Sequence, residues 1–190
     1  MTLAPEKLPR LRLQKGREKR VRSGHPWIFS NELQEVPPLA PGVLVIVDDP
    51  GGEPMGVGYY NPRTLIAVRW ILRGGDELPE RWLEERIEQA IERRRALYPS
   101  EDCARLIFGE ADGLPGLVAD HYGNSLSVQV LTAGMELLRP RVEETLRFLL
   151  NPEVLVRRDD SPMREMEGLP RAVQVVPEGT RAEAPVDYLG

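Results

Sequence analysis

The stretch VLVIVDDPGGEPMGVGYYNPRTLIAVRWIL, residues 43–72, decides the fold of the first half of the chain. Its three apolar runs, at 43–48, 55–60 and 65–72, are rich in the β-branched and aromatic residues that favour strands. Glycine, proline and asparagine stand between the runs, where they favour turns. Short strands separated by such turns predict a small closed sheet or barrel.

The residues upstream of this stretch add two smaller elements. Leu-Arg-Leu at 11–13 alternates like a short strand, and residues 15–22 predict a charged turn or strand edge. Residues 23–33 predict a short helix, because Pro26 suits a first helical turn. A proline pair at 37–38 ends that helix.

The residues downstream predict a second half of mixed composition. Apolar residues recur at helical spacing over 79–98 and over 136–150, which predicts two amphipathic helices. Strands are predicted from apolar runs at 105–109, 117–121, 126–131, 154–156 and 172–176. The fold class is therefore predicted as α+β, with a small barrel first and a mixed helix and sheet layer second.

Composition excludes several classes of protein. Hydrophobic residues make up 41% and charged residues 29% of the 190 residues, which is a globular balance. No run approaches the roughly 20 apolar residues of a membrane helix, so no membrane partner is expected. A single cysteine, Cys103, rules out an internal disulfide and a cysteine-cluster metal site. These features favour the cytoplasm as the compartment.

The basic residues concentrate at the front of an acidic chain. The net charge is −5, yet residues 1–25 contain eight basic and two acidic side chains, which gives +6 there and −11 elsewhere. Such a concentration focuses an attractive field on polyanions. A solvated basic tail is the alternative interpretation. The candidate RNA-binding residues are Lys15, Arg17, Lys19, Arg20, Arg22, His25 and Trp27.

The aromatic residues beside these cations admit two interpretations. The rings of His25, Trp27 and Phe29 could each stack on an unpaired RNA base. Alternatively, Trp27 and Phe29 fill a small core beside Ile28, and we favour this interpretation for the two of them. The cations are therefore the stronger prediction for RNA contact.

A second group of arginines lies in the loop at 157–168, which leaves the end of a predicted strand. Arg157, Arg158 and Arg164 form a candidate second RNA-binding or interdomain surface. A salt-bridged surface loop is the alternative, and the residue spacing by itself favours that alternative.

No catalytic, cofactor-binding or metal-binding set is visible in the sequence. Gly56-Val57-Gly58 lacks the third glycine and the following helix of a dinucleotide-binding loop. The two histidines, His25 and His121, do not stand at metal-ligand spacing. Cys103 has no neighbour in sequence, apart from Arg105, that would activate it as a nucleophile.

Four segments together resemble a known family, the S-adenosylmethionine (SAM)-dependent rRNA cytosine-5 methyltransferases that begin with a PUA domain. The segments are KGREK at 15–19 leading into GHPWIFSNE at 24–32, GVGYYNP at 56–62, DGLPGLVADHYG at 112–123, and 157–169 with its REMEGL end. They occur in the family's order and approximate spacing and cover nearly the whole chain. The third segment is the most specific.

The resemblance implies a PUA-like β-pseudobarrel over 1–73, a linking helix over 74–100 and a small central α+β domain over 101–190. In the family these precede a Rossmann-like methyltransferase domain, which binds SAM and supplies a cysteine that adds to the pyrimidine ring. No glycine-rich donor-binding loop and no late cysteine follow in this sequence. That domain is therefore expected to be absent, and Cys103 is not expected to inherit the catalytic role.

The expected function follows from this resemblance. The chain is expected to be the RNA-binding N-terminal portion of a truncated rRNA methyltransferase, inactive by itself, with SAM used only by the full-length enzyme and no cofactor in this chain. A stand-alone PUA-type RNA-binding module is the alternative. The expected partner is RNA, in particular rRNA, together with a second copy of the chain or a separately encoded methyltransferase domain.

Overall fold

The computed structural model describes residues 8–99 and 102–177. The chain divides into two units, Met1–Leu78 and Pro79–Gly190. Lys7 of the basic front and the segment 178–190, assigned to the central domain, lie outside the described residues. Within the described ranges, no helix has the length and apolar character needed to cross a membrane.

The first unit is built on a five-stranded sheet. Its elements are β1 (Arg10–Arg12), α1 (Glu18–Arg22), β2 (Trp27–Phe29), β3 (Leu44–Asp48), β4 (Pro54–Tyr60) and β5 (Ile66–Arg73). The strand order is β1-β3-β4-β5-β2, in which β1 runs parallel to β3 and the other neighbours are antiparallel. The three strands predicted within 43–72 are confirmed to within one residue at each end.

Two predictions for the front segment are wrong. The helix predicted over 23–33 is strand β2 followed by a 3-10 turn at Ser30–Glu32, and the predicted charged turn contains helix α1. The reason lies in tertiary pairing, because Ile28 is fully buried and lies opposite Val68 of β5. A partner strand so distant in sequence overrides the weak local helix preference.

The core of the first unit draws on all five of its strands and on α1. Its buried residues are Leu11, Leu13, Val21, Ile28, Leu33, Val45, Val47, Tyr60, Ala67, Val68 and Trp70. Gly56 and Gly58 let β4 pass close to β5. A Cβ atom on Gly58 would lie 2.5 Å from the Arg69 carbonyl oxygen, and one on Gly56 would lie 2.2 Å from that of Leu72. These glycines therefore serve strand packing.

The second unit also has a five-stranded sheet, together with four helices among its described residues. Its elements are α2 (Trp82–Leu97), β6 (Cys103–Phe108), β7 (Leu117–Tyr122), β8 (Ser125–Val130), α3 (Ala133–Leu137), α4 (Arg139–Leu150), β9 (Val154–Asp159), α5 (Met163–Met166) and β10 (Ala172–Pro177). The order is β10-β9-β8-β7-β6. Strands β8 and β9 are parallel and are joined by α3 and α4, and the other neighbours are antiparallel. The predicted strands are confirmed, with ends that differ by up to three residues.

Helix α2, the element predicted as a link over 74–100, packs within the second unit against α4 and β6. Its predicted apolar face is buried at Leu83, Ile87, Ala90 and Ile91. Leu97 and Tyr98, at the end of the predicted helix, are exposed. The helix ends there, so its last turn extends beyond the apolar surface that the earlier turns cover.

Candidate nucleic-acid interface

The predicted RNA-binding residues of the first unit lie in helix α1, in strand β2 and in the segments that precede each of them. Val21 of α1 and Ile28 of β2 are buried in the core and fix the two elements. Because side chains alternate along a strand, Trp27 and Phe29 lie on the face opposite Ile28. Both are half-buried and lie outside the core cluster, so the core role favoured for them is wrong.

Trp27 and Phe29 form a cluster of rings with His25. The ring centroid of His25 lies 5.9 Å from that of Trp27, in an edge-on arrangement, and 6.1 Å from that of Phe29. Two guanidinium groups accompany the rings. Arg20 lies over Phe29, 4.7 Å from its centroid, and Arg69 lies over Trp27 at 5.6 Å. This ring cluster combines flat apolar surface with positive charge, which suits an unstacked base.

The loop between α1 and β2 is held by its own backbone contacts and by Arg73. Nδ1 of His25 lies 3.2 Å from the Trp27 backbone nitrogen and 3.1 Å from its carbonyl oxygen, so either tautomer of the ring has a partner there. Arg73 donates from Nη1 to the carbonyl of Val21 at 3.1 Å and from Nη2 to those of Gly24 and His25 at 3.0 and 2.5 Å. The sequence did not predict this role of Arg73. The last residue of an apolar strand carries no local signal that it will hydrogen-bond to a loop distant in sequence.

Arg20 mainly stabilises the fold, because its guanidinium group is bonded to groups within the first unit. Its Nε donates to Glu32 at 3.0 Å, its Nη2 forms an ion pair with the same carboxylate, and Nη2 also donates to the Trp27 carbonyl at 3.1 Å. Glu32 is buried and accepts the Phe29 N–H at 2.8 Å. Arg20 therefore neutralises a buried carboxylate and ties α1 to β2.

Arg22 is also paired, but at the surface. Its Nη2 lies 2.8 Å from Asp49. The pKa of Asp49 is lowered, first by the backbone N–H of Glu53 and then by that of Gly51 and the charge of Arg22. An exposed pair of this kind holds its arginine only weakly. The free-energy cost of replacing Asp49 by a phosphate group as the partner of Arg22 is therefore small.

Three predicted cations neither neutralise a buried carboxylate, as Arg20 does, nor form a surface ion pair, as Arg22 does, among the described residues. They are Lys15, Arg17 and Lys19. All three are exposed, and none makes an ion pair within the part of the chain that the structure describes. Lys19 lies in α1, next to the paired Arg20, and the other two precede the helix. The first unit thus places three available cations on the segment that leads to the ring cluster.

The second group of predicted residues has a different environment, a buried ion-pair network beyond the carboxyl ends of β8 and β9. Arg139 donates to Glu136 at 2.8 and 2.7 Å and to Asp159 at 2.6 Å. Arg164 lies 2.9 Å from Glu136 and 3.3 Å from Asp159, and its Nε donates to the Pro170 carbonyl at 2.8 Å. These four charged residues are all buried.

The pKa values within this network are shifted in opposite directions. Burial by itself would raise the pKa of Glu136, but the hydrogen bonds and charges of Arg139 and Arg164 outweigh it and lower the pKa. Burial raises the pKa of Asp159, and the same two arginines offset only part of that effect. Glu136 is therefore the carboxylate that the network stabilises in its charged form.

The predicted surface of Arg157, Arg158 and Arg164 is therefore corrected for two of its members. Arg164 is buried in the network, and Arg157 donates to Glu143 of α4 at 2.7 and 2.8 Å. Arg158 is exposed and pairs with Asp160 at 3.2 Å. Their neighbours in sequence did not reveal this difference, because the carboxylate partners of Arg157 and Arg164 come from other elements.

Comparison with known proteins first defines the class of the front unit. The sequence profile of a family described as "PUA-like domain" matches residues 11–73, which covers β1 to β5. The chain therefore contains a PUA-like domain, as predicted.

Relatives of the whole chain are more specific. The chain is 36% identical over 165 residues to the ribosomal RNA large subunit methyltransferase I of Klebsiella pneumoniae (strain 342), which covers 85% of this chain and 41% of that protein. It is 34% identical over 164 residues to the protein of the same name from Cronobacter sakazakii, with 84% and 41% covered. The chain is thus homologous to rRNA methyltransferases and spans about two fifths of their length.

Two solved structures share the fold. One is a candidate SAM-dependent methyltransferase from Streptococcus mutans, with a TM-score of 0.67 and 15% identity, and the match covers 80% of this chain and 40% of that one. The other is a candidate methyltransferase complexed with S-adenosylhomocysteine (SAH), with a TM-score of 0.68 and the same identity and coverage. A match of this extent must include parts of both units, since neither unit alone reaches 80% of the chain.

These likenesses correct three expectations. The fold is shared with methyltransferases over most of the chain, so the expectation that a methyltransferase fold is absent is wrong. For the same reason, the expectations of an RNA-binding portion alone and of a stand-alone PUA module are both wrong, because the shared fold extends beyond the PUA-like unit. The expectation of no cofactor in this chain is overturned by the neighbour that is complexed with SAH.

Proposed function

We propose that this protein is a SAM-dependent methyltransferase of ribosomal RNA and that its product is 5-methylcytosine. The observation that carries the proposal is the 36% identity over 165 residues with ribosomal RNA large subunit methyltransferase I. Since the chain spans 41% of that relative, the activity of the whole protein belongs to the proposal. The choice of cytosine C5 rests on the family that the four sequence segments resemble.

In this proposal the PUA-like unit positions the RNA. Lys15, Arg17 and Lys19 neutralise phosphates, and the ring cluster of His25, Trp27 and Phe29 receives a base. Support comes from the exposure of the three cations and from the half-buried rings beside them. A cytoplasmic location, where ribosomal RNA is found, belongs to the same proposal.

The described residues do not fit a nucleoside cofactor at the place where parallel strands usually bind one, beyond their carboxyl ends. There the side chains of Arg139, Arg164 and Asp159 are buried and paired with one another or with Glu136. The three buried carboxylates that pair with Arg139, those of Glu136, Glu143 and Asp159, are thus committed to arginines rather than available to the ribose hydroxyls of SAM. We therefore assign no SAM contact to these residues and derive no step of methyl transfer from them.

Methyl transfer itself tests the activity. We expect the protein to transfer tritiated methyl groups from SAM to unmodified large-subunit rRNA, with 5-methylcytidine recovered on nucleoside mass spectrometry. Label in a different nucleoside would contradict the assignment to cytosine C5. A lack of any transfer to rRNA would contradict the proposal as a whole.

Salt dependence tests the role of the front cations. For binding to a fluorescein-labelled single-stranded RNA, the log–log slope of affinity against salt has a magnitude of about 0.7 for each phosphate that the protein neutralises. We expect Arg17→Gln with Lys19→Gln to make the slope shallower by about 1.4. Arg81→Gln with Arg95→Gln, two exposed arginines of the second unit, is the charge-matched control. Equal slopes for the two double variants would exclude the front cations from RNA binding.

A further inference from the structure

Among the described residues of the second unit, helix α4 packs on one face of the sheet. Arg157 of β9 reaches Glu143 of α4, so α4 lies on the face that carries Arg157. The same face carries Leu126, Val128 and Leu155, which are fully buried. Strand register places a different set on the opposite face, which we call the open face. It includes Arg105, Phe108, Asp120, Tyr122, Ser127 and Arg158, together with the exposed Val173 and Val175 of β10.

Two large aromatic rings of the open face are exposed. Phe108 of β6 is 54% exposed and Tyr122 of β7 is 55% exposed. The Arg105 guanidinium lies over the Phe108 ring, 5.2 Å from its centroid. Together with the exposed Val173 and Val175, these rings give the open face apolar surface of the kind that marks a binding site.

Arg105 lies opposite Asp120 in the strand register, on the same face as Tyr122. The pKa of Arg105 is raised first by its hydrogen bond to Asp120, and the Tyr122 phenol adds to the shift. The pKa of Arg158 is raised first by Asp160 and also by Tyr122.

Both arginines of this face are ion-paired, and each still exposes about half of its side chain. Asp120 is buried and is neutralised by Arg105 at 2.7 and 3.1 Å. These contacts use Nε and Nη2 of Arg105, while half of the side chain is exposed. Arg158 pairs with Asp160 in an exposed contact that a phosphate can replace at little cost. On an acidic chain, the described strand residues of this face carry no carboxylate other than the neutralised Asp120.

We propose that the open face of the second unit is a second RNA-binding surface, which takes single-stranded RNA with bases stacked on Phe108 and Tyr122 and phosphates near Arg105 and Arg158. Every base has a π-face, so stacking of this kind tolerates many sequences, and an open sheet is the platform that several RNA-binding domains use. This inference rests on the proposed function, since it assumes that the protein acts on RNA.

Affinity for a short fluorescein-labelled single-stranded RNA, measured by anisotropy, tests the surface. We expect Phe108→Ala with Tyr122→Ala to raise the Kd about thirty-fold or more, because stacking contributes roughly 1–3 kcal/mol for each of the two bases. Phe148→Ala is the matched control, since Phe148 is an exposed ring of α4 in the same unit. Thermal unfolding of each variant verifies that it folds. A double variant that binds as tightly as the control overturns the inference.

Two further outcomes separate this inference from the proposed function. If the wild-type protein binds no RNA, both the proposed function and the open-face inference are wrong. If Phe108→Ala with Tyr122→Ala leaves RNA binding unchanged but Arg17→Gln with Lys19→Gln weakens it, only the open-face inference is wrong. Photocrosslinking to RNA that contains 5-iodouridine is expected to label β6 or β7. If sedimentation shows that the ring substitutions dissociate a dimer, the open face is a contact between copies of the chain, and the inference is overturned.

Discussion

Lys19 and Arg20 are neighbours in α1, yet their side chains have different surroundings. Lys19 is exposed and makes no ion pair within the described ranges, whereas Arg20 neutralises the buried Glu32. Removal of a partner from a buried carboxylate leaves an unpaired charge, which destabilises a fold far more than loss of a solvated cation does. RNA-binding experiments on α1 should therefore substitute Lys19 and leave Arg20 unchanged.

Glu136 gives the second unit a dependence on pH. Its pKa in the folded state is lowered, so its contribution to stability is complete above the unfolded pKa of about 4.3 and is lost as the pH falls through the folded pKa. We expect Glu136→Gln to lower the free energy of unfolding by about 3 kcal/mol at neutral pH. The difference from wild type should shrink between about pH 5 and pH 3.

Urea unfolding followed by circular dichroism at several pH values measures this contribution. Glu144→Gln, a change at an exposed position of the neighbouring helix α4, is the control and should stay within about 0.5 kcal/mol of wild type. A Glu136→Gln variant whose deficit remains constant down to about pH 3 would contradict the assignment of charge to Glu136.

At the scale of elements, the close approach of β4 and β5 depends on glycine. A Cβ atom at position 58 would meet the Arg69 carbonyl oxygen at 2.5 Å and Val68 Cγ1 at 2.7 Å. The first of these atoms is backbone, so the strands would have to separate. The Gly58 backbone requires no positive φ, which means that the cost comes from packing alone.

We expect Gly58→Ala to lower the free energy of unfolding by about 3 kcal/mol, the upper range for an overpacked core. Gly51→Ala is the control, because its Cβ would meet only the flexible side chain of Asp49, at 3.2 Å. Urea denaturation followed by tryptophan fluorescence compares the two variants, since Trp70 lies in the affected core. Equal stability of the two would refute the packing argument.

At the scale of the whole molecule, each unit completes its own sheet and its own core. Strands β1 to β5 pair among themselves, as do β6 to β10. A destabilising change in one unit should therefore increase local opening mainly within that unit.

Hydrogen exchange followed by mass spectrometry measures this division directly. We expect Gly58→Ala to accelerate exchange in β3, β4 and β5 and to leave β7, β8 and β9 at the wild-type rate. Glu136→Gln should have the reverse effect. Acceleration in both units by either substitution would mean that the two sheets unfold as one cooperative body.

The sequence alone determined the strands of residues 43–72 and the helix at 79–98, because apolar periodicity and turn residues are local signals. The PUA-like class of the front unit came from the resemblance of its segments to a known family. The sequence also identified the cations at 15, 17 and 19 as exposed candidates for RNA contact. Tertiary structure alone decided that residues 27–29 form a strand, that Arg157 and Arg164 are committed to ion pairs, and that Phe108 and Tyr122 share an uncovered face. Each of these depends on partners distant in sequence, and the energy of strand pairing, burial and ion pairing appears only when those partners meet.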